Sequence, residues 1–215
     1  MCCVDDLQQA IPNIAALTGP GSFAFLDNLV IGLPPNVPHK GDPGLTLVEA
    51  RSHFSLWVMM ASPLLLNHDI FHPDPEITAI ISNQDVLAVA KDPLGAMATR
   101  IDGSMVHGTS PATQIPRLPY AAGTYTYGEQ LAKPLAGDKG GWAGLLLNRR
   151  NVTLQITLNF LDVGDTSVRC FSIRDLWSHE NLGVYELTFS GGLVPPHGCR
   201  MLKLTPHTIG SNCTI

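Results

Sequence analysis

The hydrophobic pattern of this chain changes period near residues 93 to 103, and that switch constrains the fold more than any other feature. Before it, apolar residues recur at helical spacing between short apolar runs. After it they alternate with period two. A helix-period pattern does not settle as a strand, nor the reverse, so the two stretches build different architectures.

In the first stretch Val4, Leu7, Ile11, Ile14 and Leu17 recur at helical spacing until Gly19-Pro20-Gly21 stops them. Phe23 to Ile31 reads as a buried strand running into a loop. Thr46 with Glu49 forms a capping box, a hydroxyl followed three residues later by a carboxylate that reaches back to the free N–H groups. The helix it opens runs to about Ala61 and buries Leu47, Ala50, Phe54, Trp57 and Met60 or Ala61. Pro63-Leu64-Leu65-Leu66 is a continuous apolar run ending in Asn67-His68-Asp69, as expected of a parallel strand buried on both faces. Asp74-Pro75-Glu76 starts another helix, and Asp85 to Lys91 is the last helical piece before Asp92-Pro93-Leu94-Gly95. Helix, strand, helix, strand, helix is βα logic with a parallel sheet. Two strands alone cannot cover themselves.

In the second stretch Val152, Leu154, Ile156, Leu158 and Phe160 alternate with polar residues. Tyr185, Leu187 and Phe189 alternate too. Leu145-Leu146-Leu147 and Met201 to Leu204 are further strands, and Asn181-Leu182-Gly183 and Ser190-Gly191-Gly192 read as turns between strands. Short strands with regular turn signals predict an antiparallel β-sandwich. Residues 103 to 123, rich in Gly, Pro, Ser and Thr, read as an exposed loop.

Charge and cysteine content narrow the function classes. The net charge of -5 lacks the basic stripe nucleic acid requires. The longest apolar stretch, Phe54 to Leu66, is shorter than the roughly 18 residues a membrane helix needs. Met1-Cys2-Cys3-Val4-Asp5-Asp6 has no basic start and does not resemble a secretory leader. Neither Cys2 and Cys3 nor Cys170, Cys199 and Cys213 have the spacing of a zinc or redox site. His68 and His72 stand four apart, but Pro73 follows, and neither a metal nor a cofactor is expected. Asn151-Val152-Thr153 and Asn212-Cys213-Thr214 are glycosylation sequons that matter if the chain meets a secretory pathway.

Several motifs are longer than periodicity explains. Phe54-Ser55-Leu56-Trp57-Val58-Met59-Met60-Ala61-Ser62-Pro63-Leu64, with Asp69 behind it, resembles the F-S-L-W-x-x-M-x-S-P-L-x-x-x-N-D stretch of glycoside hydrolase family 27, the α-galactosidase and α-N-acetylgalactosaminidase family. Asn83-Gln84-Asp85-Val86-Leu87-Ala88-Val89 with Asp92-Pro93-Leu94-Gly95 resembles its N-x-E/D-V-I-A-I-N-Q-D-P-L-G. Gly19-Pro20-Gly21 to Gly32 aligns with G-P-G-x-W-N-D-P-D-M-L-x-x-G. Lys133-Pro134-Leu135, Leu147-Asn148-Arg149, Asp175-Leu176-Trp177 and Pro196-His197-Gly198 are similar to motifs of the family's sandwich.

The resemblance implies an α/β plus all-β fold: residues 1–93 as the last two strands and adjoining helices of a (β/α)8 TIM barrel, and residues 94–215 as the antiparallel β-sandwich. It implies retaining hydrolysis of terminal α-galactosyl bonds, which needs two carboxyl groups roughly 5 Å apart. In the family both lie upstream of the part aligned here, so no residue of this chain inherits a catalytic role. The chain is expected to be a C-terminal fragment of a family that is typically secreted or lysosomal. Asp27 matches the second aspartate of W-N-D-P-D and is the one candidate substrate-binding residue, an acceptor for sugar hydroxyls. Around it Phe23, Ala24, Phe25, Leu26 and Asn28 replace Trp, Asn, Asp, Pro and Met. Asp69 reads as a loop residue bonding backbone, Trp57 as core, and Trp142 and Trp177 as sandwich core or a sugar-stacking surface. The expected partner is an α-galactoside sugar or glycoconjugate, with no nucleic acid and no membrane. A homodimer or the missing barrel segment would cover the open strands. The alternative is a non-catalytic module, derived from the same family, that binds carbohydrate or protein. Residues 1–93 alone are expected to aggregate, and about 95–215 to fold better.

Overall fold

The computed structural model describes residues 14–37, 40–69, 71–72, 74–101, 128–137, 140–164 and 170–207. The expectations placed on Val4, Leu7, Ile11, Cys2, Cys3, Pro73, residues 103–123, Asn212 and Cys213 lie outside these.

Among the described residues four helices come first: α1 (Ile14–Leu17), α2 (Leu47–Met59), α3 (Pro75–Ile81) and α4 (Gln84–Ala90). Their starts follow from side-chain caps. Thr46 Oγ1 accepts from the Glu49 N–H, and Glu49 Oε2 accepts from the Thr46 N–H at 2.9 Å, closing the capping box. Asp74 accepts from Glu76 and Ile77 with Pro75 as the first helical residue. Asn83 Oδ1 accepts from Val86.

Between these helices lie the two barrel strands, reduced to one parallel bridge, Leu29 with Leu66. Leu29 N–H donates to Leu65 O at 2.7 Å and Asn67 N–H donates to Leu29 O at 3.0 Å. That alternation to either side of one residue is the parallel pattern. Leu65 and Leu66 are 52% and 45% exposed, so the expectation of a strand buried on both faces does not hold here. Among the described residues no further strand pairs with their outer edge.

α2 departs from its expected one-sided burial. Every residue from Ser52 to Met59 is buried. One side of the helix packs on Leu26, Leu29 and Ile31, and the other on the sheet that follows. A helix apolar all round needs cover all round.

That sheet has six strands in the order β1-β2-β3-β8-β5-β6: β1 (Thr99–Arg100), β2 (Glu129–Pro134), β3 (Trp142–Leu147), β5 (Cys170–Asp175), β6 (Glu180–Glu186) and β8 (Cys199–Pro206). β4 (Leu154–Asn159) pairs with β7 (Thr188–Val194) as a second layer. All these pairings are antiparallel. Leu146, Ile156, Leu158, Phe160, Phe171 and Phe189 fill the space between the layers. Leu131, Leu145, Leu147 and Met201 point the other way and join the helices' core. This explains the unbroken Leu145-Leu146-Leu147: alternate side chains are needed on both faces, because both are covered.

Two turn readings and one strand reading need correction. Asn181-Leu182-Gly183 lies inside β6, where Gly183 takes φ 109° beside a shift of register in β5. The reversal falls earlier, at residues 176–179. Ser190-Gly191-Gly192 lies inside β7, opposite the register shift between Gln155 and Thr157, so these glycines serve a bulge. Tyr185, Leu187 and Phe189 are not one strand. Leu187, at φ 63°, ends β6 and lets the chain cross into the other sheet.

Candidate functional site

The loop bearing Asp27 is positioned by residues of the helix and exit that follow it. Trp57 Nε1–H donates to the Asp27 carbonyl at 2.8 Å, and Leu26 N–H donates to Ser62 Oγ at 3.1 Å. Trp57 and Ser62 belong to one motif. Trp57 is core, as expected, but its one polar atom holds the loop. The clamp keeps Asp27 at φ 79°, in the left-handed region that non-glycine residues avoid. The Asp27 side chain is exposed, and its Oδ1 accepts from the Asn28 N–H at 2.7 Å. Phe23 and Phe25 beside it are about half exposed, at 46% and 53%. Gly32 closes the loop at φ 79°, where an added Cβ would stand 3.0 Å from His68 Nδ1.

His53 carries no motif signal in the sequence, yet it supports this loop. It is buried, stacks on Trp57 with ring centroids 3.9 Å apart, and accepts the Val30 N–H at Nε2. The available signal was its position four residues before Trp57, on the same helix face. Burial pushes its pKa from 6.5 down to about 4. In the unfolded chain the ring takes its proton first, so stability is full above pH 6.5 and falls as pH drops toward 4. The slope is about 1.4 kcal/mol per pH unit, so on the order of 3 kcal/mol is lost by pH 4. Denaturant titrations at pH 7 and 4.5 should show the loss, and His53→Gln should shrink it. An unchanged pH dependence in His53→Gln would refute this origin.

Asp69 bonds local backbone, as expected. Its Oδ1 accepts from Phe71 and His72 N–H groups, and its Oδ2 lies 2.8 Å from His72 Nδ1. These bonds, the His72 side chain's foremost, lower its pKa. Asp27 lies two residues before the paired Leu29, and Asp69 three residues after Leu66.

The remaining motifs mark the junction between helices and sandwich. Trp177 Nε1–H donates to Ser55 Oγ at 3.0 Å, so this indole meets the helix rather than a free sugar-stacking surface. Trp142 is half-buried against the inter-sheet core. Ser52 Oγ–H donates to the His197 carbonyl at 2.6 Å. The buried Lys133 ammonium donates to Val58 O, a carbonyl in the last turn of α2, at 2.8 Å. Burial lowers its pKa to about 8. Asn83 Nδ2–H donates to Leu176 O, and the Asp92 carboxylate accepts from Ala136 N–H. Arg174 and His179 both bond Asp85.

Comparison with known proteins converges on one lineage. Residues 2–92 match a family model described as alpha galactosidase A, and residues 128–204 match one described as alpha galactosidase C-terminal beta sandwich domain. The chain belongs to glycoside hydrolase family 27. Alpha-galactosidase 3 of Arabidopsis thaliana is 31% identical over 195 residues, covering 91% of this chain but 38% of the relative. The family 27 chain thus spans well under half the length of that curated relative. Among solved structures, two share the fold at TM-score 0.70. Alpha-galactosidase I from Mortierella vinacea is 24% identical, with 92% of this chain and 43% of that one covered. The α-galactosidase of Saccharomyces cerevisiae, solved with raffinose, is 20% identical, with 94% and 50% covered.

Proposed function

We propose that this family 27 chain serves as the C-terminal portion of an α-galactosidase-type retaining glycoside hydrolase and that, alone, it does not hydrolyse α-galactosides. The observation that carries this is the state of the three carboxylates whose pKa departs from the ordinary range. Retaining hydrolysis needs one carboxylate as nucleophile and, roughly 5 Å away, an acid whose pKa is raised. In this chain Glu49 and Asp69 are held below the ordinary range by hydrogen bonds, those from the Thr46 backbone and the His72 side chain foremost. Burial would raise Asp85, but bonds from His179 and Arg174 outweigh it. None of the three is prepared to donate a proton to a leaving oxygen at neutral pH.

Asp27 is the residue left to meet a sugar. Its strained backbone is clamped in place, and its carboxylate faces solvent. In a completed barrel it would accept hydroxyl hydrogen bonds from a galactoside. The division into a barrel portion, 1–93, and a sandwich, 94–215, goes with this reading. The half-exposed Phe23, Phe25, Leu65 and Leu66 favour a second reading, a non-catalytic module that binds protein through this face.

Purified 1–215 given an aryl α-galactoside should release no aglycone above buffer. Turnover clearly above background would overturn the assignment of the carboxylates. Galactose titrated to millimolar concentration, followed by tryptophan emission, separates the two readings through Trp57. A saturable change lost in Asp27→Asn supports the sugar role. No change in the wild type leaves the protein-docking reading.

A further inference from the structure

We infer that Asn151 is an N-linked glycosylation site, a modification independent of the hydrolase reading. Asn151-Val152-Thr153 has the acceptor pattern, with a non-proline residue in the middle. The structure puts it where a glycan fits. All three residues are exposed, in the irregular segment between β3 and β4. Asn148 holds that segment from within. It is fully buried, its Nδ2 donates to the carbonyls of Val152, Val194 and Pro195, and its Oδ1 accepts from Arg150 N–H. Asn151 is left on the outside.

The orientation of the Asn151 amide is the second observation. Its Oδ1 lies 2.7 Å from His197 Nε2, which donates to it. Among the described residues Nδ2 has no partner. The modification uses Nδ2 alone, so the bond to His197 survives it. His197 in turn accepts from Ser52 through its carbonyl, so a glycan here borders the helix–sandwich junction without entering it.

The third observation is redox chemistry. Cys170 is disulfide-bonded. Disulfides persist in the oxidising compartments of secretory pathways, and those compartments also transfer oligosaccharide to asparagine. The donor is a lipid diphosphate-linked oligosaccharide. Asn151 Nδ2 forms a bond to the anomeric carbon as that carbon's bond to the diphosphate oxygen breaks. The lipid diphosphate leaves, and the transferring enzyme's base takes one amide proton.

The test is the full 1–215 chain expressed behind a cleavable secretion leader in eukaryotic cells, read from both whole cells and medium. Deglycosylation by peptide N-glycosidase in heavy-oxygen water should leave a labelled aspartate at position 151 in most molecules. Thr153→Ala should abolish the label and speed gel migration by one glycan's worth while leaving the Asn151–His197 pair intact. Cys170 should resist alkylation until the sample is reduced. An unmodified Asn151, with or without a glycan at Asn212, would overturn the inference. So would a freely alkylated Cys170 in the folded protein.

Discussion

Residues 128–215, produced on their own, should lose the cooperative melt of the full chain. Sequence periodicity favours the opposite result, since the sandwich looks self-contained. In the structure one face of the six-stranded sheet is core only because α2 covers it. Leu131, Leu145, Leu147, Leu176 and Met201 are each no more than 2% exposed and belong to the same cluster as Phe54, Val58 and Met59. Exposing a buried side chain of this size costs about 1.5–3 kcal/mol. Five of them come to on the order of 10 kcal/mol, which is the size of a domain's whole net stability. Two polar contacts to α2 go with it. Lys133 loses Val58 O, and Trp177 loses Ser55 Oγ. Circular dichroism or calorimetry of 128–215 beside 1–215 decides the point. A sharp transition within a few degrees of the parent would show that the sandwich stands alone. Residues 1–93 should aggregate for the complementary reason, with Phe23, Phe25, Leu65 and Leu66 already uncovered in the whole chain.

What the sequence revealed depended on whether a residue's role was local. The capping box of Thr46 and Glu49, the N-cap Asp74, and the alternation of Ile156 and Leu158 are set by neighbours within a few residues, so they were legible. The burial of α2 on all sides was not. It depends on β2, β8 and the turn before β8, whose bonded residues lie 75 to 145 positions away. Leu187 broke an apparent alternation because a crossing between sheets leaves no trace in a two-residue period. The candidate site divides in the same way. Asp27 was legible through the motif around it. Its left-handed backbone and its clamp by Trp57 and Ser62 come from tertiary packing. Three of the four sandwich motifs proved to be junction residues, bonded to α2 through Lys133, Trp177 and His197, while Asn148 of the fourth holds the segment between β3 and β4.

Phe54→Ala should be among the most damaging single substitutions in this chain, at about 3–5 kcal/mol. Phe54 is 1% exposed, near the middle of α2, and its ring lies 6.5 Å from that of Trp177 at a tilt of 58°. It therefore fills the junction from the helix side, and its loss leaves a cavity that neither element can close by itself. The fixed hydrogen bond from Trp177 to Ser55 resists collapse into that cavity. Trp177→Phe keeps most of the ring but leaves Ser55 without its indole partner, so it should cost nearer 1 kcal/mol. The two residues touch the same volume, and the double variant should cost less than the sum of the single ones. Denaturant unfolding of the four proteins measures all three quantities. A cost below about 1 kcal/mol for Phe54→Ala, or strict additivity with Trp177→Phe, would mean that the helix and the sandwich pack against each other more loosely than the shared core implies.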